Sequence, residues 1–225
     1  MIAIEISGEL RRLIVVMGSI LGLLLLLSGC GSGSQTSRHI SQPPVPPTKE
    51  ARQCLADLRQ TGIRFTPLPD RYFGGGCSAL NSVKLDDIGT PVTNLGAMTC
   101  PLASRFSAWA RYGAQPAARL ILGSELVRIE TYGTYACRKM NGNMSGNLSE
   151  HAHSNAVDVS AFVLADGRRI TVKNDWHGDD RTRRFLQVVH DSACKRFRTV
   201  LSPDYNAAHH DHFHFDMGGK GTYCR

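Results

Sequence analysis

What this 225-residue chain lacks narrows its class before any motif is read. Its seven Cys include no C-x-x-C pair, which argues against a zinc ribbon or a dithiol redox centre. No internal repeat is visible, so solenoid and propeller architectures are set aside. The longest uncharged apolar stretch, Leu13 to Leu27, is about 15 residues and falls short of a comfortable membrane span. Aromatic residues are sparse at 7% and do not interleave with basic ones, so no nucleic-acid motif is present. At 42% hydrophobic and 20% charged, the composition fits neither a disordered chain nor a multi-span membrane protein. The charge is unbalanced: 26 Lys+Arg face 19 Asp+Glu, for a net +7. That excess suits anionic partners such as cell-wall polymer, lipid headgroups or nucleic acid, and alone chooses none.

The N-terminus reads as an export signal. Arg11 and Arg12 precede the apolar stretch, and the small residues Ser28 and Gly29 follow it before Cys30. The tetrad Leu27-Ser28-Gly29-Cys30 resembles the lipobox of bacterial lipoproteins. That resemblance implies removal of residues 1–29 and lipidation of Cys30, which becomes the membrane anchor. Gly31, rather than an Asp, favours the outer membrane and a domain on the periplasmic side of the envelope. Glu5 and Glu9 are unusual ahead of such a core, which leaves Met17 as an alternative start. Export also argues against nucleic acid as a partner. Residues 31–48 are rich in Gly, Ser and Pro and poor in apolar side chains, a tether reaching roughly 60 Å if fully extended. The globular domain then spans 49–225.

With Cys30 set aside, Cys54, Cys77, Cys100, Cys137, Cys194 and Cys224 form an even set. In an oxidising compartment they read as up to three disulfides, and six Cys allow 15 pairings that sequence alone leaves open. A helix is expected over 49–60, with Ala51, Leu55 and Leu58 on one face, and a Gly-rich loop at Gly74-Gly75-Gly76. A second helix is expected over 102–122, on the spacing of Leu102, Phe106, Trp109 and Ala110, with a break near Pro116. Strands are expected over 127–135, 157–163 and 169–172, the last two joined by the turn Ala165-Asp166-Gly167. A third helix is expected over 181–198, with Phe185, Leu186, Val189 and Ala193 inward and a solvated basic face. The mixed order points to a single α+β domain: a small antiparallel sheet, flanking helices and disulfide staples.

Six of the nine His fall in two short stretches, His151 and His153, then His209, His210, His212 and His214. With Asp158 seven residues after His151, this is a metal-site pattern. Alternation across 209–216 reads as a strand with His210, His212 and His214 on one face, which would aim His209 away unless the strand starts later. His153 and His210 are expected to face away or to support the ligands, and Ser149 to orient a ligand or cap a turn.

The pattern Ser149-x-His151-x-x-Ser154-x-Ala156-x-Asp158, with His212-x-His214, resembles the S-x-H-x-x-G-x-A-x-D and H-x-H motifs of the D-alanyl-D-alanine metallopeptidase and hedgehog superfamily. The wider frame, GTYACR at 133–138, FVLADGRRITV at 162–172 and LSPDYNAAHHDHFHFD at 201–216, resembles the bacterial extensin-like C-terminal domain family over most of 50–225. The resemblance implies a zinc ion held by His151, Asp158 and His214, with His212 as general base. It places His209 where murein endopeptidases carry an additional active-site His. Ser154 departs from the motif's Gly and puts the tight turn there in question.

Two His and one Asp leave a tetrahedral zinc one open position, as catalysis requires. Such an ion acidifies water and polarises a carbonyl, and a neighbouring His can relay the proton. Arg138 is the candidate cation for a developing oxyanion. The expected function is a zinc metallopeptidase acting on peptidoglycan, with endopeptidase action favoured over carboxypeptidase action; a regulatory protein partner is left open. Two other classes compete. A zinc-containing wall-binding lipoprotein without catalysis would often have lost His212. A non-haem iron oxygenase uses a similar triad, but with an H-x-D/E pair on an all-β jelly roll.

Overall fold

A computed structural model describes residues 48–225. The signal-like segment, Cys30, Met17 and the tether up to residue 47 lie outside the described residues. Among the described residues no helix is long and apolar enough to cross a membrane.

Helix α1 (Lys49–Gln60) begins where the Thr48 hydroxyl accepts from the Ala51 N–H, and it buries Leu58. Four short strands follow: β1 (Arg64–Pro67), β2 (Arg71–Gly74), β3 (Cys77–Ala79) and β4 (Ser82–Asp87). The Gly74-Gly75-Gly76 run is the tip of the β2–β3 hairpin, all three at positive φ. Strand β5 (Met98–Thr99) joins β4 and β1 in a three-stranded sheet.

Helix α2 (Cys100–Trp109) runs directly into a π turn (Ala110–Ala114), a short α segment (Gln115–Ala117) and a second π turn (Ala118–Leu122). The expected break at Pro116 does not occur. Proline lacks an N–H and its ring crowds the preceding turn, and here the helix widens around it instead of ending. Termination waits for Gly123, left-handed at φ 69°.

The central sheet holds six strands. Its path is β11 (Tyr223–Cys224), β9 (Thr199–Leu201), β10 (Phe213–Asp216), β7 (Ala156–Leu164) and β6 (Leu126–Gly133), with β8 (Arg169–Thr171) also pairing β7. All pairings are antiparallel except β11 on β9. Strand β6 stops two residues before the expected Tyr135, freeing the Thr134 carbonyl. Helix α3 (Val172–Asp175) follows β8, and α4 (Asp180–Cys194) starts on an Asp179 cap. Helix α4 is shorter than the periodicity implied, because the chain turns after Lys195 and the Arg198 N–H already bonds the Asp216 carbonyl.

Period-2 geometry divides β10 cleanly. Phe213 and Phe215 face the helices, against Trp176 (5.4 Å between ring centroids) and Trp109 (5.1 Å). His214 and Asp216 therefore face the other way. Trp109 is fully buried and its indole N–H donates to the Val189 carbonyl at 2.9 Å, locking α2 to α4. The pairings that spacing left open are Cys54–Cys100, Cys77–Cys137 and Cys194–Cys224. Among the described residues one buried apolar cluster runs through helices and sheets and is stapled by three disulfides, so residues 48–225 have a hydrophobic core of their own, as a domain able to fold alone requires.

Candidate metal centre

The β7–β10 register places His214 directly opposite Asp158. His151 comes from a 3₁₀ turn (Glu150–His153) leading into β7, and Ser149 caps that turn by accepting from the His151 N–H. The turn ends at Ser154, in the left-handed conformation (φ 54°, ψ 29°). Ser in place of Gly therefore preserves the tight turn.

Three ligand atoms converge in this buried corner. His151 Nε2 lies 3.0 Å from Asp158 Oδ1 and 3.2 Å from His214 Nδ1, and His214 Nδ1 lies 2.8 Å from Asp158 Oδ1. Tetrahedral zinc with bonds of about 2.0 Å separates its ligand atoms by about 3.3 Å, so the donor set fits after a small expansion. The remaining ring nitrogens are committed. His151 Nδ1–H donates to the Thr134 carbonyl at 3.3 Å, and His214 Nε2–H donates to Asp216 Oδ2 at 3.0 Å. Outer partners of this kind fix ligand tautomers in metal sites.

Burial alone would raise the Asp158 carboxyl, but hydrogen bonds and charge from His151 and His214 hold it far below the ordinary carboxylate range. Burial would likewise lower His214, yet its bonds to Asp158 and Asp216 raise it to about 9. Positive charge is thus favoured at the point where the three donors meet.

The other expected residues sit around this corner. His212 Nε2 lies 3.6 Å from Asp158 Oδ1, and its Nδ1–H donates to Asp211 Oδ1 at 2.8 Å. Arg138 Nη2 stands 3.8 Å from Asp158 Oδ2, on a loop after β6. Strand β10 starts only at Phe213, and this resolves the placement of His209. That residue lies on a separate 3₁₀ turn (Ala207–His209), its ring 5.3 Å from His212 and 5.7 Å from His214. Its Nδ1–H donates to Asn206 Oδ1 at 2.7 Å, and burial with the nearby imidazoles lowers it to about 4. His210, expected on the shared face, instead points outward and donates to the Ala207 carbonyl, because it precedes the strand. His153 faces Ser78, 3.3 Å away, on the hairpin side.

Sequence reasoning missed Asp216, Thr134, Asn206 and Asp211 as partners of the histidines. Only Asp216 carried a signal, two residues beyond His214 on one strand face. A second group, His190, Cys194 and Cys224, also brings ligand atoms together, but its two sulfurs are bonded to each other.

Fold and site together define a class: a disulfide-stapled α+β domain with a buried His/Asp/His candidate metal site on its sheet. The family model for the extensin-like protein C-terminus matches residues 52–225, and the chain belongs to that family. No curated protein and no solved structure matches the chain.

Proposed function

We propose that this protein is a zinc-dependent peptidoglycan peptidase, an endopeptidase that hydrolyses peptide cross-links of the bacterial wall. The observation that carries the reading is the convergence of His151, Asp158 and His214 beside two further histidines that point into the same corner. Zinc held by those three residues would supply Lewis acidity, acidifying a water molecule and polarising the scissile carbonyl. His212 accepts the attacking water's proton at Nε2 and returns it to the leaving amine. Arg138, beside the outer oxygen of Asp158, offers positive charge to the oxyanion. Neutral His209 lines the same corner and keeps its Nε2 free as an acceptor for a substrate N–H. Three disulfides fit an oxidising, extracytoplasmic compartment. The reading places the domain on the periplasmic side of the envelope, held to the outer membrane through a lipidated Cys30.

The test uses residues 49–225, disulfides intact and zinc-loaded, with purified cross-linked peptidoglycan and products read by mass. Dimeric muropeptides should disappear, and chelation should stop their loss. His212→Ala should keep its zinc and lose roughly 10²–10⁴-fold in turnover, whereas Asp158→Ala should lose the metal while staying folded. Zinc bound with no product from the unmodified domain would overturn the peptidase reading in favour of a wall-binding protein.

A further inference from the structure

The two histidines beside the candidate metal corner are held by different partners, and the difference separates their roles. His209 rests on a neutral amide, Asn206, through Nδ1. His212 rests on a carboxylate, Asp211, also through Nδ1. Asp211 is itself fixed from the far side, its Oδ2 accepting from the Tyr132 hydroxyl at 3.3 Å. The Tyr132 ring meets His212 edge-on, 5.7 Å between centroids, so the imidazole is confined in plane and in tilt. Tyr132 comes from β6 and Asp211 from the loop before β10, so two separate segments of the fold converge on one ring.

We propose that Asp211, braced by Tyr132, is the positioning residue that makes His212, rather than His209, the proton-accepting histidine. The argument is chemical. A carboxylate at Nδ1–H fixes the tautomer whose free lone pair is on Nε2, the nitrogen nearest Asp158. It also stabilises the imidazolium that forms when Nε2 takes a proton, which an amide partner does far less well. Asp211 touches no ligand of the candidate metal and acts only through His212. The assignment rests on the peptidase reading for its kinetic consequence, but not for its structural one.

The test therefore has two arms. Long-range ¹H–¹⁵N imidazole spectra of the domain should show His212 as a single Nδ1–H tautomer. In Asp211→Ala that signal should become a tautomer mixture, while His209 stays unchanged. In turnover, Asp211→Ala should lose roughly 10²-fold or more in kcat with KM within about twofold and zinc content unchanged. Asp211→Asn, which keeps shape without charge, should fall between the two. Tyr132→Phe should cost a few-fold in kcat, because it removes only the brace. An Asp211→Ala protein with undiminished kcat, or with an unaltered His212 spectrum, overturns the proposal. A wild-type domain without turnover overturns the peptidase reading instead, and the spectra then decide the Asp211 contact by themselves.

Discussion

Ser154 shows how one residue trades stability for the geometry of a site. It occupies a left-handed conformation that costs a non-glycine residue roughly 1–2 kcal/mol. Its hydroxyl is also fully buried with no hydrogen-bond partner. Glycine would relieve both penalties, offset by its larger backbone entropy and a small void. Ser154→Gly should therefore stabilise the domain by about 0.5–1 kcal/mol in urea denaturation and leave metal binding unchanged; destabilisation would mean the buried hydroxyl packs better than its missing bond implies. At this scale the candidate ligands that the structure brings together were legible: a His and an Asp seven apart, and an H-x-H on alternating sequence, are spacings that chemistry constrains. Their orienting partners were not. Thr134 contributes a carbonyl that every residue has, and Asn206 and Asp211 sit in turns that obey no period. His210 misled because the His alternation begins three residues before the true start of β10 at Phe213, imitating a strand where the chain is only leaving a 3₁₀ turn.

The helix pair behind the sheet is where elements, rather than residues, decide the outcome. Helix α2 with its π turns crosses α4 so closely that a Cβ on Gly113 would lie 2.2 Å from Ser192 Oγ and 3.1 Å from Ser192 Cβ. The glycine thus serves the approach of two helices. Gly113→Ala should destabilise the domain by about 1–2 kcal/mol through overpacking, despite alanine's better helix propensity. Adding Ser192→Ala should recover most of that loss, since it removes the atom that clashes first. Urea denaturation of the two single variants and the double gives the coupling directly, and purely additive effects would show that the helices part without cost. Long elements of this kind were legible because Leu102, Phe106 and Trp109, or Phe185 and Val189, recur at helical spacing. The strands β1 to β5 left no comparable trace. They are two to six residues long, and β2 is exposed throughout, so burial imposes no alternation. Pro116 was a true helix-breaking signal that tertiary packing overrode, with Trp109 and Leu122 buried on either side.

Across the whole molecule, the three disulfides divide the labour unequally. Cys54–Cys100 ties α1 to the start of α2, and Cys194–Cys224 ties the end of α4 to the edge strand β11. Neither bond is made within a segment that carries a candidate ligand, although the Thr99 N–H beside Cys100 bonds the Ser154 carbonyl at 2.8 Å. Cys77–Cys137 is different, because it joins the β2–β3 hairpin to the loop that runs from Thr134 to Arg138. That loop supplies the carbonyl that orients His151, and the Ala136 N–H bonds the His151 carbonyl at 3.2 Å. The hairpin presses on it through Phe73 against Tyr135, 4.7 Å between centroids, and on the His151 turn through Ser78. Cys77–Cys137 and Cys194–Cys224 span sequence separations of 60 and 30, so removing either should cost roughly 4 kcal/mol of stability by the loop-closure argument. Their effects on the proposed zinc site should differ. Loss of Cys77–Cys137, as a pair of alanines, should weaken zinc binding several-fold, because His151 then pays the cost of its own ordering on binding. Loss of Cys194–Cys224 should leave zinc affinity unchanged. Competition with a chelator of known affinity, well below both unfolding midpoints, measures the contrast. Equal weakening in the two variants would mean that the staples act only on global stability, with no particular hold on the ligand turn.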